Sequence, residues 1–247
     1  MLDMAKSAWG AAALDAARTR VAHVRDAIPP EVLRNLRAHL DRVRGERLAQ
    51  ASTDRERTAI ARGEGSDALR LDPTWMDAWR NPSRALREAL GDATWVAFPP
   101  QVRSVAANHH LVPWHQDVAY QRLLGPRGHV RHVTCFVPLD EDPTRRPTVE
   151  FVVGRFAELP HDAAAGFGAG LPDAPSGPHA LFELTLGDAL VFGDLVPHRS
   201  FVPDPRHPER RSLEFRIVRP CDAVAGKDYF DIASGQFTRR SPAMEVA

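Results

Sequence analysis

The chain has 247 residues, 43% of them hydrophobic, and its 32 basic residues are balanced by 32 acidic ones. That composition suits a globular chain with a sizeable core and excludes one drawn by net charge onto nucleic acid or anionic membranes. The two cysteines, Cys135 and Cys221, lie outside any Cys-x-x-Cys pair, which excludes a disulfide framework and predicts reduced thiols in a cytoplasmic protein. Asp3 and the short apolar run Trp9 to Leu14 do not read as a signal peptide, and no apolar run reaches membrane-spanning length.

Leu14, Ala17, Val21, Val24 and Ile28 step by three and four and predict a first amphipathic helix. Pro29-Pro30 ends it. Pro30 and Glu31 suit the first turn of a second helix, whose apolar stripe is Leu33, Leu36, Leu40 and Val43. A third candidate helix carries Trp75 and Trp79, which read as core, as does Trp95. Asn81-Pro82 breaks it, and Ser83 can cap a short helix to about Leu90. The basic residues of Arg42 to Arg47 and Arg55 to Arg62 alternate with acids and read as solvated faces. Residues 52–70, charged and with two glycines, read as a mobile loop.

After Gly91 the texture changes. Trp95 to Phe98, Val102 to Ala106, Val130 to Leu139, Val149 to Val153, Ala180 to Leu186, Ala189 to Phe192 and Ser212 to Val218 are short, rich in Val, Phe and Thr, and separated by Gly, Pro or Asp clusters. Such segments without long intervening helices predict a mainly β fold of antiparallel strands, a jelly roll or barrel, with the N-terminal helices packed outside it. A single domain over 1–247 is expected, helical to about 91 and barrel from about 92 to 220. The Gly- and Ala-rich stretch Ala163 to Pro178 reads as a loop able to act as a lid.

The chemistry centres on Trp114-His115-Gln116-Asp117. In an extended segment the side chains of His115 and Asp117 leave the same face. A His, a carboxylate and a second His on one side of a metal make the facial triad of non-heme Fe(II) oxygenases. The second His is supplied downstream by His198, after the apolar strand Ala189 to Phe192 and its Gly-Asp turn. Arg210 and Ser212 then share one face of the final strand and offer a guanidinium and a hydroxyl to a carboxylate. Arg211 would fall with Leu213, Phe215 and Ile217 on the other face, toward the helices. His109 and His110 point opposite ways on any strand, so at least one cannot be a ligand. His132, His161, His179 and His207 read as solvent-facing. Arg103, Arg122, Arg131 and Arg155 read as solvated charges, with recognition of an anionic substrate as the alternative.

This order of motifs resembles the phytanoyl-CoA dioxygenase family. Trp-His-Gln-Asp, a Gly-Asp strand leading to a distal His, and an Arg-x-Ser pattern a dozen residues later carry the resemblance. It extends to the N-terminus, where Val24 to Val32 is similar to that family's strand-then-helix opening. The resemblance implies a double-stranded β-helix (jelly roll), Fe(II) bound by His115, Asp117 and His198, and 2-oxoglutarate and O2 as co-substrates. It further implies that Arg210, assisted by Ser212, holds the distal carboxylate of 2-oxoglutarate, and that Thr134 and Phe136 line that pocket. The expected reaction is hydroxylation of a small molecule with release of succinate and CO2. Halogenating relatives lack the metal carboxylate, and Asp117 is present. The stretches Arg146 to Glu150 and Val153 to Phe156 depart from the family's pattern, so the substrate side does not transfer.

Two other readings stay open at this level. A cupin-like isomerase or epimerase would need no 2-oxoglutarate and no Arg210. A jelly-roll binding protein would carry the triad as a relic. Fold alone does not separate them, and neither substrate, reaction outcome nor oligomeric state is written in the sequence.

Overall fold

A computed structural model describes residues 18–61, 73–105, 111–141, 149–164, 168–201 and 210–240. Among these residues lie eleven strands, β1 (Val21–Val24), β2 (Trp95–Phe98), β3 (Gln101–Val105), β4 (Val133–Pro138), β5 (Val149–Val152), β6 (His179–Leu181), β7 (Ala189–Gly193), β8 (His198–Ser200), β9 (Arg210–Val218), β10 (Asp228–Asp231) and β11 (Gln236–Arg239). Four α-helices accompany them, α1 (Pro30–Gln50), α2 (Asp54–Ala61), α3 (Arg84–Leu90) and α4 (Asp117–Leu123). One sheet has eight strands in the order β1-β7-β4-β9-β2-β10-β11, with β3 also on β9, and the other has three in the order β6-β5-β8. Every strand pairing is antiparallel.

Strand alternation gives the large sheet two different faces. Val133, Cys135 and Val137 of β4, Ala189 and Val191 of β7, and Leu213, Phe215 and Ile217 of β9 join one apolar cluster with Leu33, Leu36 and Leu40 of α1 and Leu86 of α3. Trp75 and Trp79 complete that cluster, both fully buried, with Trp79 set edge-on to Phe215 at 5.2 Å between centroids. The opposite residues, Phe136, Leu190 and Phe192, pack on Val149 and Phe151 of the small sheet. The metal-type residues lie between the two sheets on this second face.

Several expectations need correction. Val21–Val24 is a strand, not part of a helix: its backbone pairs with β7 from Val21↔Phe192 to Val24↔Ala189, and pairing in the sheet overrides the three-and-four spacing of Val21, Val24 and Ile28; Leu14 and Ala17 of the expected helix lie outside the described residues. The tryptophan segment is a 3-10 run, Pro73–Trp79, rather than an α-helix. The expected loop at 52–70 contains α2. A capping box starts it, with Glu56 N–H donating to Thr53 Oγ1 and Thr53 N–H donating back to Glu56 Oε2, both at 3.1 Å. Ser83 does cap α3, accepting from Leu86 N–H at 3.1 Å. The last strands, β10 and β11, lie beyond the expected barrel limit and extend the large sheet past β2.

The described part of the Ala163 to Pro178 loop is tied down rather than loose. Asp162 N–H donates to Gly170 O at 2.8 Å and Leu171 N–H to Trp114 O at 2.7 Å. Leu171, Trp114 and Val152 share a small apolar cluster.

Candidate metal centre and adjoining cleft

His115 and His198 meet through a two-way backbone bridge, His115 N–H to His198 O at 3.0 Å and His198 N–H to His115 O at 2.9 Å. The bridge brings the two imidazoles to 4.1 Å between centroids. Each ring has its Nδ1 fixed by the carbonyl two residues upstream: Pro113 O lies 2.8 Å from His115 Nδ1 and Val196 O lies 2.9 Å from His198 Nδ1. A carbonyl only accepts, so each Nδ1 carries a proton, and in the neutral ring Nε2 is the nitrogen left with a lone pair. This is the arrangement that orients metal-ligating histidines. Burial pushes the His198 imidazole down to about 3, and His115 acts in the same direction. The ring therefore stays in the neutral form that metal binding requires.

Asp117 is not on the extended segment predicted for it. Gln116 is still extended, with φ −115 and ψ 136, but Asp117 opens α4. The turn into the helix has identifiable anchors. Val118 N–H donates to Asp194 O at 3.1 Å. The buried Gln116 amide donates to Ala157 O at 3.0 Å and Leu195 O at 2.6 Å, and accepts from Leu159 N–H at 2.8 Å. Even so, Asp117 Oδ1 ends 3.7 Å from His115 Nε2 and 3.9 Å from His198 Nε2. Two metal–ligand bonds of about 2.1 Å span at most about 4.2 Å, so one ion can bridge the Asp117 carboxylate and either imidazole. Among the described residues His115, Asp117 and His198 form the one such cluster, with donor atoms within 4.8 Å and all three residues buried. His109 and His110 lie outside the described residues, as does His207.

The Asp117 carboxylate is surrounded by partners. Thr134 Oγ1 donates to Oδ2 at 2.6 Å and Arg216 Nη2 donates to Oδ1 at 3.1 Å. His132 Nε2 stands 3.7 Å from Oδ2. Burial alone would raise this carboxyl, but Arg216, with His115, His132 and His198, outweighs it and holds the group well below the usual carboxylate range. His132 is thus buried, not solvent-facing as expected, and its Nδ1 is bound to His129 O at 2.6 Å. His161 is half-buried and accepts from Gln116 N–H at 3.3 Å, whereas His179 is exposed.

A cleft opens beside the triad, lined by His115, His198, Phe136, Arg210, Ser212 and Glu214 among others. The alternation of β9 sends Arg210 into it, 5.5 Å above the Phe136 ring. Burial lowers the Arg210 guanidinium to about 9, against the pull of Glu214. Arg211 faces the helices, ion-paired to Asp41 of α1, with Asp140 at 3.8 Å. Thr134, expected in the cleft wall, is instead spent on Asp117. Arg103, expected at the surface, also lines the cleft, and its Nε lies 3.1 Å from Glu214 Oε1. Arg122 pairs with Glu158 at the surface, and Arg131 and Arg155 are exposed. The roles of Gln116, Thr134 and Arg216 around Asp117 were missed by sequence. The period-two run Arg210, Ser212, Glu214, Arg216 carried the signal for Arg216 by placing it on the cleft face.

With this geometry in hand, the chain matches the model of the phytanoyl-CoA dioxygenase family over residues 21–207. No curated protein matches it. Among solved structures it is similar to a non-heme monooxygenase, ThoJ in its apo form, at 18% identity and a TM-score of 0.53 over 84% of this chain and 77% of that one. It is also similar to SnoN, a non-heme alpha ketoglutarate dependent epimerase from nogalamycin biosynthesis, at 16% identity and a TM-score of 0.52 over 90% and 87% of the two chains. The carbocyclase SnoK from the same biosynthesis matches at 14% identity and a TM-score of 0.50 over 86% and 82%. At these identities the likeness is one of fold.

Proposed function

The chain belongs to the phytanoyl-CoA dioxygenase family, and from that premise we propose that it is a non-heme Fe(II)- and 2-oxoglutarate-dependent dioxygenase that hydroxylates an unactivated C–H bond of a small molecule. The two sheets are then the halves of a double-stranded β-helix, and residues 1–247 make one domain. The donor set fits iron: two imidazoles whose Nδ1 atoms are tied to backbone carbonyls and one ionised carboxylate, grouped within 4.8 Å beside the cleft. His115, Asp117 and His198 would hold the metal. Arg210 would take the distal carboxylate of 2-oxoglutarate with Ser212, and Phe136 would wall the same pocket. When bound, iron, 2-oxoglutarate and O2 supply the oxidising chemistry, with succinate and CO2 as co-products.

The observation that carries this reading is the buried Arg210 opening into the same cleft as His115 and His198. A metal isomerase without 2-oxoglutarate has no use for a guanidinium there, and a relic has no reason to keep both ring tautomers fixed. The chain's own contribution is to bind, to orient and to keep water out. Arg210 is itself buried, and in such a low-dielectric setting charge-assisted hydrogen bonds to it gain strength. Reduced thiols at Cys135 and Cys221 suit a cytoplasmic protein, and no described helix is long and apolar enough to cross a membrane.

The test is a screen for Fe(II)-dependent succinate formation against a panel of small metabolites. Succinate coupled to a hydroxylated product supports the assignment. A substrate converted at full rate without 2-oxoglutarate would place the chain with the isomerases instead.

A further inference from the structure

We propose that Thr134 and Arg216 are positioning residues that grip the Asp117 carboxylate from two sides, so that Oδ1 alone is offered to the metal. The proposal rests on the reading of His115, Asp117 and His198 as an iron site.

The carboxylate torsion of an aspartate is intrinsically broad and two-fold. An ungripped Asp117 could rotate and present both oxygens to one ion, as carboxylates do in calcium sites. Here that rotation is opposed at each oxygen. Oδ1 faces the two imidazole nitrogens at 3.7 and 3.9 Å and accepts from Arg216 at 3.1 Å. Oδ2 is turned away and accepts the Thr134 hydroxyl at 2.6 Å. The carboxylate can only accept, so the proton of that short bond belongs to Thr134. Both gripping residues are held by the sheet. Thr134 and Arg216 are register partners on the adjacent strands β4 and β9, so they reach Asp117 from neighbouring points on one rigid surface. Thr134 is fully buried, and the Arg216 side chain is 9% exposed with Glu214 Oε2 at 3.6 Å.

The consequence is a count of coordination positions. Three protein donors leave three of six positions on an octahedral ion. A bidentate co-substrate needs two of them and a further ligand needs the third. If Asp117 contributed both oxygens, one of these positions would be lost. The grip therefore preserves the open side of the metal.

The test uses Mn(II), whose bound waters are counted by water-proton relaxation. The wild-type protein with Mn(II) alone should retain three exchangeable waters. Thr134→Val removes the hydroxyl while keeping the shape, and should retain two. With saturating 2-oxoglutarate it should retain no exchangeable water, where the wild-type protein retains one. Thr134→Ser keeps the hydroxyl and should behave as wild type. Should the Val variant fail to fold, Thr134→Ala also deletes the hydroxyl and demands no extra room. Arg216→Met tests the other side of the grip with the same two readings. Three waters with Mn(II) alone and one with 2-oxoglutarate added, in the Thr134 and Arg216 variants as in wild type, would overturn the proposal and leave the iron site standing. Wild-type protein that takes up no Mn(II) at all would remove the iron site itself, and this proposal with it.

Discussion

The two faces of the eight-stranded sheet are made by the same strands, one residue apart, yet they are built on opposite principles. On β9, Leu213, Phe215 and Ile217 enter an apolar cluster with the helices, while Ser212, Glu214 and Arg216 turn toward the metal-type residues. The helical face is held by area and close packing, and its tolerance is set by volume. The cleft face is held by direction. Buried His, Asp and Arg side chains cost free energy unless each finds a partner. Thr134, Arg216, Pro113 O and Val196 O are such partners. Stability and function are therefore separable across one sheet, and each of the following changes tests that separation.

The largest effect belongs to the apolar face. Trp79→Ala should cost about 3–5 kcal/mol of folding stability, because a fully buried indole leaves a cavity. Chemical denaturation measures it. At low temperature the folded variant should bind Mn(II) like wild type, and a parallel loss of metal affinity would show that the faces are coupled.

Adjacent arginines on β9 sharpen the contrast. Arg210→Ala should weaken 2-oxoglutarate binding by roughly 2–5 kcal/mol, about tens to thousands of times. Arg211→Ala should lower stability, since it strips Asp41 of its partner, while Asp140 keeps Arg37 and the backbone N–H of residue 211, and leave 2-oxoglutarate affinity within a few-fold. Calorimetric titration of both variants gives the comparison, and a large affinity loss in Arg211→Ala alone would reverse the assignment of the two faces.

Acid should act through His129, on the cleft side of the comparison. Burial lowers its pKa from 6.5 to about 3, and its Nε2 is bound to Tyr229 OH at 2.8 Å. The unfolded chain takes up a proton below pH 6.5 that the folded chain refuses until about 3. Stability is therefore present above pH 6.5 and drains as pH falls, by about 1.4 kcal/mol per unit, or about 2 kcal/mol by pH 5. His129→Gln should remove its share of that slope in denaturant melts across the window and leave the share of His198, which burial also lowers to about 3; an unchanged slope would assign the acid sensitivity to other groups.

The smallest effect tests the periphery. Thr53→Ala removes the capping box of α2 and should cost about 1 kcal/mol, with no change at the metal site. A larger loss would mean that α2 carries more of the helical face than its packing suggests.

Much of this was legible in the sequence, for physical reasons. The stripe Leu33, Leu36, Leu40 has a helix's period and formed one. Ser83 and Pro30 are local signals and acted locally. His115 and His198 could be paired because both lie on extended backbone. What was not legible depended on contacts between distant segments. Val21–Val24 became a strand because β7 offered an edge. Asp117 left the extended path because Asp194 O and the Gln116 side chain hold the turn into α4. Thr134 showed its direction in the sequence but not its partner, Asp117, and His132 read as solvent-facing although it is buried beside that carboxylate. The Thr53–Glu56 box was readable and was overlooked among the charges around it.

The central claim is that His115, Asp117, His198 and Arg210 together seat Fe(II) and 2-oxoglutarate in one cleft. The most direct measurement is an anaerobic titration of the protein with Fe(II) and then 2-oxoglutarate, followed by visible absorption. The account predicts a weak metal-to-ligand charge-transfer band that saturates with 2-oxoglutarate and is absent from His198→Ala. No band in the wild-type protein, despite stoichiometric Fe(II) binding, would contradict it.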